Sequence, residues 1–218
     1  MTYKDIEKRF SLEVGNQYIV EIPNVGRDDL AQMFSEFGLN KGAEIGVDKG
    51  EYSEVLCNAN PNLELFGVDP YMLSAYEKRI NPKEAGIHDT QEGFEGNFDV
   101  AQKRLSRFSK YTFIRKPSLE ALDDFDDESL DFVYIDANHD FPNFINDLHE
   151  WLKKVKTGGI MSGHDYANFS YRKFNHVKRA LDAYARCYHM IPLFIVGSEE
   201  KAEGVKRDRF RSWFWIKQ

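Results

Sequence analysis

One stretch constrains this chain more than any other: Gly42-Ala43-Glu44-Ile45-Gly46-Val47-Asp48-Lys49-Gly50, followed by Glu51-Tyr52-Ser53-Glu54-Val55-Leu56. It predicts a short strand, a glycine turn and the start of a helix, with Glu44 near the strand end. Gly46 and Gly50 leave the turn without Cβ atoms, so a ligand can lie against backbone N–H groups. A second apolar run, Leu63 to Val68, ends in Asp69, where a strand-end carboxylate can take two ribose hydroxyls. Together the two segments describe a nucleoside-bearing cofactor held across the tips of neighbouring parallel strands.

A length of 218 residues suits one well-packed α/β domain and is short for two. With 42% hydrophobic residues the chain should fold on its own core. Cys57 and Cys187 lie in predicted helices at no motif spacing, so neither a disulfide framework nor a zinc knuckle is expected, and a reducing cytoplasmic setting is. Met1 to Phe10 is polar and charged, unlike a secretory leader, and no apolar run approaches the ~20 residues of a membrane span. The net charge of −7 argues against a nucleic-acid partner. The basic patch Lys201 to Arg211 is better read as a solvated hairpin loop.

In chain order, Tyr18 to Ile22 predicts a short strand, and Arg27 to Phe37 a helix with Leu30, Met33, Phe34 and Phe37 on one face. The strand over about 42–47 and the helix over 50–59 follow, and Asn60-Pro61-Asn62 breaks the chain. Phe98, Ala101, Leu105 and Phe108 mark another helix, while residues 81–96, with three glycines and a proline, read as a surface loop or lid. Strands are expected at Tyr111–Arg115 and Phe132–Ile135, the second apolar throughout as in a sheet covered on both faces. Phe141, Phe144, Ile145, Leu148, Leu152 and Val155 form one helical stripe, ended by Gly158-Gly159. Ile160 to Gly163 leads into His164-Asp165-Tyr166. A last helix uses Phe174, Val177, Leu181, Tyr184 and Tyr188, and Pro192–Val196 with Arg211–Lys217 predicts a closing hairpin.

Alternating strands and helices with right-handed crossovers give a doubly wound, mostly parallel sheet, in which ligands sit outside the carboxyl ends of the strands. Glu44, Asp69, Ser118, Asp136 and Asp165 each end a predicted strand. Four carboxylates placed so are hard to explain as solubility.

Taken together, Glu44-x-Gly46-x-x-x-Gly50, Val68-Asp69, Leu130 to Asp136 and Gly158-Gly159 resemble the class I S-adenosylmethionine-dependent methyltransferases. Ala43 to Val47, Tyr134 to His139 and Gly163 to Tyr166 are most similar to the small bacterial branch that includes macrocin O-methyltransferase. The likeness covers about residues 28–217. It implies a Rossmann-like sheet of seven strands with a C-terminal antiparallel hairpin. It also implies one methyltransferase domain over 28–218 with a lid-like insertion at about 71–97. Residues 1–27 then stand apart as a lid or dimer arm, which allows a homo-oligomer.

The resemblance implies roles as well. Glu44 and the turn Gly46, Val47, Gly50, with Ser53, would hold the methionine portion of S-adenosylmethionine. Asp69 and Pro70 would meet the ribose, and Ser118 and Leu119 would border the adenine, although Ser118 reads equally as a helix N-cap. Methylating a hydroxyl needs an in-line attack on the sulfonium methyl and removal of the hydroxyl proton. Magnesium or manganese on Asp136, Asp165 and His164 would lower that pKa. Asp136 would also lie against the cofactor, and His139 falls where these enzymes place a general base. His164 departs from the pattern, since many relatives carry an acid there. An imidazole leaves room for a softer ion such as manganese or zinc, or for no metal, with His139 and His164 working alone.

Other readings have specific obstacles. A nicotinamide-dependent oxidoreductase also wants a glycine turn and a later acid, but this turn lacks Gly-x-Gly-x-x-Gly. Asp69-Pro70-Tyr71 looks superficially like a base-methylating motif, yet it follows the second strand of the cofactor-binding unit, not the fourth. A non-catalytic module would lose Asp136, His139 and Asp165. The acceptor is expected to be a small molecule, a sugar or other secondary-metabolite hydroxyl. Tyr166, Phe169, Tyr171, Phe174 and Trp213 to Trp215 are candidates to line its pocket, although core packing is the plainer reading for both tryptophans.

Overall fold

The computed structural model describes residues 1–75, 90–169, 175–198 and 210–218. In chain order its elements are α1 (Tyr3–Phe10), β1 (Ile19–Ile22), α2 (Arg27–Glu36), β2 (Lys41–Ile45), α3 (Glu51–Ala59) and β3 (Glu64–Val68). Then come α4 (Gln91–Leu105), β4 (Tyr111–Ile114), α5 (Ser118–Ala121), β5 (Leu130–Ile135), α6 (Phe141–Lys154), β6 (Val155–Gly163), α7 (Val177–Cys187), β7 (Leu193–Val196) and β8 (Ser212–Ile216).

The strands form one sheet in the order β1-β7-β8-β6-β5-β2-β3-β4. All neighbours pair in parallel except β8, which runs antiparallel to both β6 and β7 and closes the sheet as the expected hairpin. The sheet has eight strands rather than the expected seven. The extra one is β1, which pairs with β7 from Ile19↔Leu193 to Ile22↔Val196. Val20 and Ile22 bury on one face of it, and its pairing covers an edge of β7 that would otherwise present unpaired backbone groups.

Alternation along the strands sorts the core into two layers. Phe132 and Tyr134 of β5 pack with Leu30, Phe34, Tyr52 and Leu56 of α2 and α3. Val133 and Ile135 pack on the other face with Phe144, Leu148, Trp151 and Leu181 of α6 and α7. Successive side chains of a strand point to opposite faces, so an all-apolar strand requires a helical layer on each. Trp213 and Trp215 are fully buried in the second layer, stacked with ring centroids 5.5 Å apart. They are core residues, as the plainer reading has it.

Three element boundaries differ from expectation for local reasons. α4 begins at Gln91, within the stretch read as loop, because Thr90 caps it by accepting the Gly93 N–H at 3.1 Å. α6 ends at Lys154, and β6 starts at once with Val155 and runs through Gly158-Gly159. Val155 therefore belongs to the strand, and the irregular pairing between Leu130 and Phe132 absorbs the extra length. Asp140 caps α6 by accepting the Asn143 N–H at 3.0 Å, and Pro142 fits in the first turn, where no N–H is needed. Phe174 and Tyr171, residues 76–89 of the expected lid and most of the Lys201–Arg211 patch lie outside the described residues.

Sheet order also carries the chain's main consequence. From β2 the chain runs outward through β3 to β4, then crosses back to β5 on the other side of β2. The carboxyl ends of β2 and β5 thus form a topological switch point, where the crossovers diverge and leave a crevice.

Gly67 of β3 shows how tightly this end is built. A Cβ there would overlap the Tyr111 hydroxyl and lie 2.7 Å from its Cζ, so the glycine lets the Tyr111 side chain cross β3. Gly67→Ala should destabilise the protein by about 1–3 kcal/mol through overpacking. The measurement is a lower urea midpoint at unchanged slope, partly restored by adding Tyr111→Phe. An unshifted midpoint would show that Tyr111 has room to move aside.

Candidate active site

The loop after β2 takes its shape from Gly46, whose φ is +91°. A side chain there would be strained and would also overlap the Asp136 carbonyl oxygen, with the carbonyl carbon 2.7 Å from its Cβ. The loop is held from the next strand. Asp69 Oδ2 accepts the N–H groups of Val47 at 3.0 Å and Asp48 at 3.1 Å, and Oδ1 accepts that of Tyr71 at 2.9 Å. Burial pushes the Asp69 carboxyl above its ordinary value even against these three donors. These three bonds use both lone pairs of Oδ2 and one of Oδ1, so Oδ1 keeps a lone pair for a ligand hydroxyl. Pro70 follows directly and lines the adjoining crevice.

Beneath the loop, Glu44 is buried and accepts a hydrogen bond from Ser53 Oγ, which lies 3.0 Å from the Tyr111 hydroxyl that crosses Gly67. Burial raises the Glu44 pKa to about 8, with the Ser53 bond opposing it. Gly50, at φ +72°, turns the chain into α3.

On the far side of Asp69 lies a crevice of about 480 Å³ lined by Pro70, Met72, Ser118, Leu119, Ala137 and Asn138 among others. Leu119 is exposed and presents an apolar surface to it. The Ser118 side chain is committed elsewhere: Oγ donates to Asp147 Oδ1 at 2.6 Å and accepts from Trp151 Nε1 at 2.8 Å. Ser118 is the first residue of α5, so its helix-start position and its place beside the crevice coexist.

The second half of the site stands at the ends of β5 and β6. His139 Nε2 lies 3.1 Å from Asp165 Oδ2 and 3.6 Å from Asp136 Oδ1. His164 Nδ1 lies 3.3 Å from Asp165 Oδ2 and 3.7 Å from Asp136 Oδ2. Donor atoms of Asp136, His139 and Asp165 all fall within 4.8 Å of one another, a grouping that could hold a metal ion. Although the His139 ring is partly exposed, its Nε2 is buried and makes no hydrogen bond, because the ring meets Asp165 at the wrong angle. An orphaned imidazole nitrogen facing two carboxylates fits a divalent cation: hard oxygens with one borderline nitrogen.

Charges in the cluster reinforce one another. Burial alone would lower the His139 pKa, but Asp136 and Asp165 outweigh it and raise it to about 10. His164 moves up for the same reason. Burial works against the Asp165 charge, yet both imidazoles hold its carboxyl well below the carboxylate range.

Sequence reasoning missed three participants. Asn175 donates to Asp165 Oδ1 at 2.8 Å, which turns Oδ2 toward the histidines. Asp165 itself sits at φ +64°, and Trp213 Nε1 donates to the His164 carbonyl at 2.9 Å, so β8 anchors this loop from below. Arg27 places a guanidinium nitrogen 3.6 Å from Asp136 Oδ2. None of these lies in a recognisable motif; each is brought in from a distant segment. Tyr166 is buried with its hydroxyl on Asp182 at 2.9 Å, and Phe169 stacks on Phe210. Tyr166 therefore packs in the core.

Among solved structures the fold is similar to an O-methyltransferase from Bacillus cereus in complex with SAH. That match is 14% identical with a TM-score of 0.57, over 88% of this chain and 80% of that one. It is also similar to the O-methyltransferase TomG from Streptomyces achromogenes, involved in tomaymycin synthesis, in complex with SAM. There the identity is 14% and the TM-score 0.56, over 97% and 86%. An uncharacterized protein, R132, of Acanthamoeba polyphaga mimivirus is 22% identical over 144 residues, which are 65% of this chain and 58% of that protein's length. The methyltransferase domain profile matches residues 43–166, more than half of the chain, and takes in the glycine turn, Asp69, Asp136, His139 and Asp165. This chain therefore belongs to the methyltransferase domain family.

Proposed function

We propose that this enzyme transfers the methyl group of S-adenosylmethionine to a hydroxyl of a small molecule, with a divalent cation held by Asp136, His139 and Asp165. The observation that carries this reading is the convergence of those three donors at the switch point, directly beside the glycine turn. Support for O-methylation comes from the solved O-methyltransferases of the same fold, which hold SAM or SAH. The family resemblance supports a sugar or other secondary-metabolite hydroxyl as acceptor. Residues 1–27 and the insertion at about 71–97 would shape its entry.

In this reading Asp69 takes the ribose, Leu119 and Pro70 border the adenine in the 480 Å³ crevice, and the Gly46–Gly50 turn carries the methionine portion over Glu44 and Ser53. The acceptor oxygen attacks the methyl carbon as the carbon–sulfur bond breaks, and the hydroxyl proton must leave. A divalent ion, when bound, would lower the pKa of that hydroxyl, so that its proton can pass to solvent water. Asp136 and Asp165 place their carboxylates where that hydroxyl would dock, with Asn175 and His164 fixing Asp165. His139 was expected to be the general base. Its orphaned Nε2, turned inward to both carboxylates, favours a ligand role instead.

Calorimetry separates these roles. His139→Gln should weaken magnesium or manganese binding by about 10–100-fold while S-adenosylhomocysteine binds as before. Unchanged cation binding with turnover lowered ~10²–10⁴-fold would return His139 to proton transfer. Turnover unaffected by chelator would remove the metal altogether.

Buried Glu44 also sets a pH dependence for the metal-free, cofactor-free protein. Its pKa is about 8 folded, against 4.5 for the ordinary group, so between these values the native state binds more protons than the unfolded one. Stability from this group therefore falls as pH rises through that window, by up to about 1.4 kcal/mol per pH unit. Asp147, raised by burial to about 7, acts in the same direction. Urea titrations at pH 5.5, 7 and 8.5 should show a shallower decline for Glu44→Gln than for the wild type. Parallel curves would mean that Glu44 is ionised in the folded protein.

A further inference from the structure

Among the described residues, Arg27 is a cation at the ends of β2 and β5 that the proposed chemistry leaves without a task. It is the first residue of α2, and its guanidinium reaches the switch point, 3.6 Å from Asp136 Oδ2 and 5.0 Å above the centroid of the Tyr52 ring. At that distance the contact with Asp136 is an ion pair but no hydrogen bond. The guanidinium makes no hydrogen bond to any described residue, and about a third of the side chain remains open to solvent. Five donors in a rigid planar fork are thus held beside Asp136 with their hydrogen-bonding capacity unspent.

Its position is fixed from below. The Tyr52 hydroxyl donates to the Arg27 carbonyl at 3.0 Å, and the Tyr52 ring packs against Tyr134 with centroids 4.3 Å apart. The platform under the guanidinium is therefore buried and rigid, which spares most of the entropy that a long side chain loses on binding. Tyr52 also belongs to the first turn of α3, directly after the Gly46–Gly50 loop. The charge of the fork is felt at Glu44, beneath that loop, which places the fork near the space over the turn.

What that space calls for is an anion. Asp136 and Asp165 are shared with two imidazoles, and Glu44 is mostly neutral at pH 7 because of its burial. We infer that Arg27 binds the α-carboxylate of the cofactor's methionine portion. This rests on the cofactor placement proposed above. A carboxylate matches the guanidinium fork in two parallel hydrogen bonds, and S-adenosylmethionine has one carboxylate, at the end that lies over the turn. Arg27 would then fix the distance between the sulfonium and the Asp136 cluster.

The test compares S-adenosylmethionine with its decarboxylated analogue, which keeps the ammonium and the sulfonium, by calorimetry on wild type, Arg27→Gln and Arg27→Lys. In the wild type the analogue should bind more weakly by about tenfold or more. In Arg27→Gln that ratio should fall toward one, because affinity for the cofactor drops while affinity for the analogue stays, and Arg27→Lys should keep part of it. A ratio unchanged in Arg27→Gln would overturn the inference. If turnover of an acidic acceptor then suffered alone, the anion would be the acceptor's. If wild type bound neither compound, the cofactor placement itself would fall, and this assignment with it.

Discussion

The site depends on the closeness of β2 and β5 where they end. Gly46 passes the Asp136 carbonyl with no room for a Cβ, so the loop proposed to carry a cofactor and the residues that would ready an acceptor are joined without an intervening side chain. Parallel pairing of Glu44 with Tyr134 and Ile45 with Ile135 sets that register, and the Asp136 N–H closes it on the Ile45 carbonyl at 2.8 Å. Methyl transfer demands in-line geometry over a few ångströms. A rigid backbone contact between the two halves supplies it more reliably than a contact between side chains.

Electrostatics divides the site into two zones. Under the glycine turn, burial drives Glu44 toward its neutral form, and Ser53 and Tyr111 link it to β4 by hydrogen bonds. At the ends of β5 and β6, two carboxylates and two imidazoles stabilise one another's charges, and burial makes each charge costly without its partners. Trp213, Asn175 and the left-handed Asp165 hold its geometry, and all three are contributed by the last third of the chain.

Much of this was legible in the residues. The run Phe132 to Ile135 announced a strand covered on both faces, and the stripe through Phe144 and Leu148 announced its covering helix, because burial imposes periodicity on sequence. Strand-end acids at Glu44, Asp69, Asp136 and Asp165 could be placed because a parallel sheet sends all its carboxyl ends to one side. The eighth strand was harder. Residues 19–22 carry a plain strand signal, but only pairing with β7, more than 170 positions away, makes them part of the sheet. The early start of α4 depended on a single cap at Thr90, and the direct passage from α6 into β6 on a pairing irregularity that local propensity does not encode.

The sequence by itself determined the layered α/β architecture, the glycine turn and the end of the sheet at which its strand-end acids gather, because periodicity, glycine and strand-end acids act locally. Only the tertiary structure decided which groups meet. It turned the His139 Nε2, which makes no hydrogen bond, onto Asp136 and Asp165, sent Tyr166, Trp213 and Trp215 into the core, and brought Arg27 to Asp136 and Asn175 to Asp165 from distant segments. Side-chain direction and contacts between remote residues follow from crossovers and packing, which no short stretch of sequence specifies.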